Sequence, residues 1–137
     1  MRRSVTSDHG TRHQSRERAL SILYEAEMKG EPPSRVLESV PVAPDPFVRL
    51  LVTGAESRRQ RSEELIAAKA IGWPLDRMAV IDRLVLRLAV SELLDPEGPP
   101  PAVVIDEAVE LAKTYSTDES GSFVNGILAA IVTSGST

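Results

Sequence analysis

The chain of 137 residues contains no cysteine, which excludes disulfides, thiolate metal sites and cysteine nucleophiles. Aromatic residues make up only 4%, so a core has to be built from Leu, Val, Ile and Ala. No apolar run approaches the roughly 18 residues of a membrane helix, and no apolar signal region follows Met1. The expected setting is a soluble protein of the cytoplasm. The glycines are scattered, and none forms the GxGxxG or GxxxxGK pattern that cradles phosphate. The only histidines, His9 and His13, lie in or near the N-terminal arm, away from any framed pocket, and make poor metal ligands, because a site also needs fixed partners. Glu63 with Glu64, and Asp106 with Glu107, are neighbours that diverge by about 100° on a helix, so neither pair closes on one substrate. Ser57, Ser62 and Ser91 have no histidine in reach to activate them. With no catalytic constellation, cofactor loop or metal set, the sequence reads as a binding protein and not an enzyme, with no cofactor.

What is present is a charge asymmetry. Over residues 1–18 five arginines face Asp8 and Glu17, a balance of +3. Over residues 19–87 ten cations meet ten acids, and over 88–137 Lys113 stands against eight acids, a balance of −7. A basic head and an acidic last third fit two partners, one polyanionic and one cationic. An ordinary solvated surface with a basic terminus accounts for the same distribution.

Apolar spacing is helical throughout. Residues 1–11 lack periodicity and read as a flexible basic arm. From Arg12 a helix is expected, with Ala19, Leu20, Ile22, Leu23, Ala26 and Met28 on its apolar face and Gly30 just past its end. Ser34 is the expected cap of a short helix carrying Val36 and Leu37, and Asp45 with Pro46 starts the next. That helix is expected to run unbroken to about Ile71, with Phe47, Leu50, Leu51, Gly54, Leu65 and Ile66 inward. Residues 75–94 are apolar almost all round, which requires a central position. A helix over residues 102–115 follows, and Ser116 with Glu119 forms a capping box for the last one. No segment alternates as a half-buried strand does, so the class is all-α. Within the last helix, Gly126 is explained by a closely packed neighbouring helix and Asn125 by a hydrogen bond to neighbouring backbone.

Arg12, His13, Arg16 and Arg18 open the first helix, where Arg12 and Arg16 are one turn apart and suit the spacing of a phosphate backbone. Arginines in a first turn oppose the helix dipole, which tilts the reading from a solvated helix start toward function. Tyr24 adjoins the apolar stripe and Phe123 heads that of the last helix; core packing is the simpler account of both. Glu92, Asp118 and Glu119 make a candidate acidic face.

The stretches "RHQSRERALSILYEAE", "GWPLDRMAVIDRLVLRLAVSELL" and "PPPAVVIDEAVELAKTYSTDESGSFVNGIL" resemble, in order and spacing, the NusB family of transcription antitermination factors. The resemblance runs from Arg12 to about Ile131. It implies a seven-helix fold of two three-helix sub-bundles, about 12–71 and 78–134, with a short connecting helix near 72–78. It also implies binding to boxA of ribosomal RNA transcripts together with a small-subunit ribosomal protein, NusE, in an RNA polymerase antitermination complex with other Nus factors. Carried over position by position, Arg12, His13, Arg16, Arg18, Arg87, Ser122 and Phe123 would face RNA. Tyr24, Glu92, Asp118, Glu119 and Phe123 would face the protein partner. The family includes monomers and homodimers, and a homodimer could cover the RNA face. Gln14, Ser15 and Glu17 dilute the family's basic cluster, and Ser122 stands where a lysine is common, so weak affinity for RNA alone is expected. Two further readings stay open. One is a helical protein-interaction module without RNA binding. The other is the NusB-like RNA-binding domain of a ribosomal RNA cytosine methyltransferase, against which the lack of cysteine and the polar end at Thr137 argue.

Overall fold

The computed structural model describes residues 8–135. Its elements are α1 (Asp8–Lys29), α2 (Pro33–Ser39), α3 (Pro46–Ser57), α4 (Arg59–Lys69), α5 (Val80–Leu94), α6 (Pro101–Tyr115) and α7 (Asp118–Thr133). A single 3-10 turn, Leu75–Arg77, precedes α5, and no strand occurs among the described residues. The expected seven-helix, all-α class is what the chain adopts. It groups into two compact units that divide between Thr53 and Gly54, inside α3, so the connector near 72–78 lies within the second unit. Of the arm assigned to residues 1–11, residues 1–7 lie outside the described part, and 8–11 already belong to α1.

In the first unit α1 buries Ala19, Leu20, Ile22, Leu23 and Ala26 and packs on α2, which contributes Val36 and Leu37. Each such Leu or Ile contributes about 1.5–3 kcal/mol by leaving water. Gly30 ends α1 at φ 66°: its N–H donates to Glu27 O (3.4 Å) while Glu31 N–H donates to Ala26 O (3.0 Å). That pair of bonds satisfies carbonyls the helix end would otherwise orphan, and only glycine takes this φ without cost. Lys29 donates to Glu25 Oε2 (2.6 Å), a hydrogen bond that holds its ammonium above the ordinary lysine pKa.

Ser34 does not cap α2. Pro32 is the extended N-cap residue and Pro33 takes the first turn, where its fixed φ suits the helix and its missing N–H is not needed. The start of α3 is as expected, with Asp45 Oδ1 accepting from Val48 N–H (2.9 Å). Leu50, expected inward, is 61% exposed; Val48, Leu51, Val52 and Ala55 form the buried stripe instead, at the i, i+3, i+4, i+7 spacing of one helix face.

In the second unit, the helix expected to run unbroken to Ile71 breaks at Arg58 (φ −100°, ψ 14°) without a glycine or proline. Helical hydrogen bonding continues on both sides, from Arg58 N–H to Gly54 O and from Ser62 N–H to Arg58 O, each 2.9 Å. The guanidinium meanwhile reaches α5, where Nη1 donates to Ser91 O (3.2 Å) and Oγ (3.1 Å). Helix α5 is central: every residue of 84–92 is buried, against α4, α6 and α7. The cap of α7 is Thr117, one residue later than expected. Its Oγ1 accepts from Ser120 N–H (3.1 Å), and Ser120 Oγ donates to Asp82 Oδ2 on α5 (3.0 Å).

Close packing of α7 falls on a different glycine from the one expected. A Cβ at Gly126 would meet nothing within 4 Å, whereas one at Gly121 would lie 2.7 Å from Lys113 Cγ and 3.0 Å from its Cδ on α6. Asn125 is exposed, where water satisfies its amide without a backbone partner. Gly126→Ala is therefore expected to stabilise the protein by about 0.5–1 kcal/mol. Gly121→Val is expected to destabilise it by about 1–3 kcal/mol through overpacking. Urea unfolding of both variants checks the pair, and a shift of the same sign at both positions contradicts it.

Candidate nucleic-acid and partner surfaces

The basic end of α1 is organised by one carboxylate. Ser15, buried on α1 between Arg12 and Arg16, donates its Oγ to Asp45 Oδ2 (3.0 Å), while Asp45 Oδ1 caps α3. Two residues beyond the cap, Phe47 meets α1. Arg12 Cζ lies 4.2 Å and Arg16 Cζ 5.3 Å from the Phe47 ring centroid, both within cation–π range.

The two arginines are not equivalent. Arg12 is exposed, but Arg16 is only 3% exposed. The pair expected to span neighbouring phosphates thus has one surface member, and Arg16 belongs to the interior of the first unit. Arginine tolerates this because its stem is apolar and its guanidinium is weakly hydrated. His13 is partly exposed, with Nε2 3.6 Å from Glu17 Oε2, so an acid on the same face tempers its positive charge when protonated. Arg18 is exposed and lines a cleft of about 490 Å³ with Gln14, Ser15 and the loop residues Pro41, Val42 and Pro44.

Arg87 and Glu92 depart from expectation. Assigned to the RNA and partner surfaces, they are 2% and 8% exposed in the enclosed stretch of α5. The hydrophobic enclosure that makes α5 central removes Arg87 and Glu92 from the surface as well.

The acidic end of the second unit presents Asp118, Glu119 and Ser122 exposed on the first turns of α7. Phe123 follows, partly buried, its ring 6.4 Å from that of Trp73 at 69°, an edge-to-face contact. Trp73 is half exposed, and Ile71, two residues before it, is almost fully exposed. Tyr24, in the first unit, is exposed as expected of a rim aromatic. Sequence reasoning did not single out Phe47 or Trp73 as functional. The signal for Trp73 was a lone tryptophan in a helix break, between Gly72 and Pro74. Among the described residues no three His, Asp or Glu side chains converge as a metal site, and no helix is long and apolar enough to cross a membrane.

An all-helical fold whose polar groups spread over helix surfaces, basic at one helix start and acidic at another, defines a surface-binding architecture. The pattern of the NusB family matches residues 13–133, and the chain belongs to that family. The transcription antitermination protein NusB of Thermobifida fusca is 47% identical over 127 residues, covering 90% of this chain and 89% of that protein. Among solved structures, T. maritima NusB aligns with a TM-score of 0.77 at 36% identity, covering 88% of this chain and 89% of that one. A crystal structure of the antitermination factors NusB and NusE in complex with dsRNA aligns with a TM-score of 0.76 at 29% identity, covering 90% and 96%.

Asp45→Ala removes both an N-cap and the partner of buried Ser15, and is expected to cost about 1–2 kcal/mol. Asp45→Asn keeps an equally ranked cap and should cost under about 0.5 kcal/mol. Thermal unfolding of the two variants decides it; equal losses would remove the acceptor argument.

Proposed function

We propose that this protein is a transcription antitermination factor that binds boxA of ribosomal RNA transcripts together with NusE. It acts by recognition, not catalysis, in the cytoplasm and within the RNA polymerase antitermination complex containing other Nus factors. The observation that carries this reading is the likeness, over nine-tenths of the chain, to a NusB seen with NusE and dsRNA.

The two surfaces suit those partners. Exposed Arg12 and Arg18, with His13 beside them, supply on the first unit the cationic face that a phosphate backbone requires; Ser122, on α7 of the second unit, is a separate exposed neutral donor. Asp118 and Glu119 on the first turn of α7, with Phe123 one turn on and in contact with Trp73, combine acid and aromatic groups on one helix start, a composition suited to a basic protein. Tyr24 is an exposed aromatic of the first unit, a separate candidate contact for a protein partner. With Arg16 buried, fewer cations are available for phosphate, so RNA affinity depends strongly on NusE.

Titration of fluorescent boxA RNA with and without NusE, at two salt concentrations, tests the proposal. Binding is expected to be salt-sensitive, enhanced by NusE and not reproduced by a scrambled RNA. Arg12→Ala should weaken the complex and reduce the salt slope by about 1, the value of one phosphate contact. NusE binding with no RNA contribution at either salt would leave a protein-interaction module.

A further inference from the structure

We infer that Phe47 is a positioning residue of the RNA surface, holding Arg12 for contact with RNA. The inference rests on the RNA reading above and extends it to a side chain outside the basic cluster. Phe47 is not core filler. It is partly exposed, it lies outside the buried stripe of α3, and its ring carries two guanidinium groups at 4.2 and 5.3 Å. Its place is set by the shared Asp45 carboxylate, which ties the first turn of α3 to Ser15 of α1, in the turn between the two arginines.

An exposed arginine gives up part of its side-chain rotamer freedom when it binds phosphate. Stacking on Phe47 removes part of that freedom before RNA arrives. Buried Arg16 gives the ring a second cation that stays put, so the positive potential at this point of α1 outlasts any one rotamer of Arg12. A guanidinium lying over a ring also keeps its N–H edge available, and it is the edge that bonds phosphate.

The test measures boxA RNA affinity and its salt slope, in the presence of NusE, for the full chain and for Phe47→Leu, Phe47→Tyr, Arg12→Ala and Phe47→Leu/Arg12→Ala. Phe47→Leu is expected to weaken binding about two- to five-fold, the worth of an exposed cation–π contact. Phe47→Tyr, which keeps the ring, should bind as the wild type does. In the Arg12→Ala background Phe47→Leu should cost nothing further, a non-additivity that loss of packing alone would not produce. Circular dichroism reports whether each variant folds, and Phe47→Met replaces Phe47→Leu should the latter unfold. Unchanged affinity and slope in Phe47→Leu, or a loss that persists undiminished without Arg12, overturns this inference while the RNA reading stands. Absence of RNA binding by the wild type overturns both.

Discussion

A helix without a polar side has to be enclosed, and its enclosure dictates what its neighbours must supply. Residues 84–92 of α5 are buried without interruption, against α4, α6 and α7. Their apolar members favour that position at about 1.5–3 kcal/mol for each large side chain. The polar groups carried inside with them need partners, since a buried group left unbonded costs about as much as a buried leucine contributes. Ser91 is met by Arg58, and Asp82 by Ser120. Both contacts leave marks on elements outside α5. The Arg58 backbone opens between α3 and α4 while its side chain bonds Ser91, and the cap of α7 moves to Thr117 while Ser120 turns its hydroxyl to Asp82. Two helix junctions far apart in the chain thus both carry a side chain bonded to one buried helix.

The first unit solves a smaller version of the same problem with a single carboxylate. Asp45 spends one oxygen on the start of its own helix and the other on Ser15 of α1. A cap that also bonds a neighbouring helix fixes the position of the first turn behind it. The aromatic in that turn, Phe47, consequently meets the arginine face of α1 instead of water.

Much of this was legible from spacing alone. Helical period, the break at Gly30, the start at Asp45 and the centrality of α5 follow from local rules, and the structure keeps all four. Some departures are local, as where Pro32 and Pro33 take the start of α2 from Ser34, but the larger ones involve contacts made across the fold. Arg58 interrupts a helix with no local breaker, and its side chain bonds a residue 33 positions away. Gly121 and Gly126 are indistinguishable by spacing, and only the side chains of Lys113 and Val109 on α6 crowd one of them. Arg87 and Glu92 sit at positions a family pattern marks as charged, while their burial follows from the packing of four helices. The candidate surfaces were partly legible. The exposed members Arg12, Arg18, Asp118 and Glu119 follow from charge pattern, whereas Phe47 and Trp73 emerge only from long-range ring contacts.

Arg16 shows most sharply why composition misjudges such a surface. Counting arginines in the first 18 residues credits each with one phosphate, yet counterion release rewards only those cations that reach the backbone. An arginine spent on an aromatic ring and buried contributes potential but no contact. Its value is then spatial: it holds charge at a fixed place, and fixed charge is what distinguishes a recognition site from a merely basic tail. A chain that uses its cations this way gives up raw affinity for nucleic acid in return for geometry. The affinity has to come from elsewhere, and under the function proposed above a protein partner supplies it without adding a single cation to this chain.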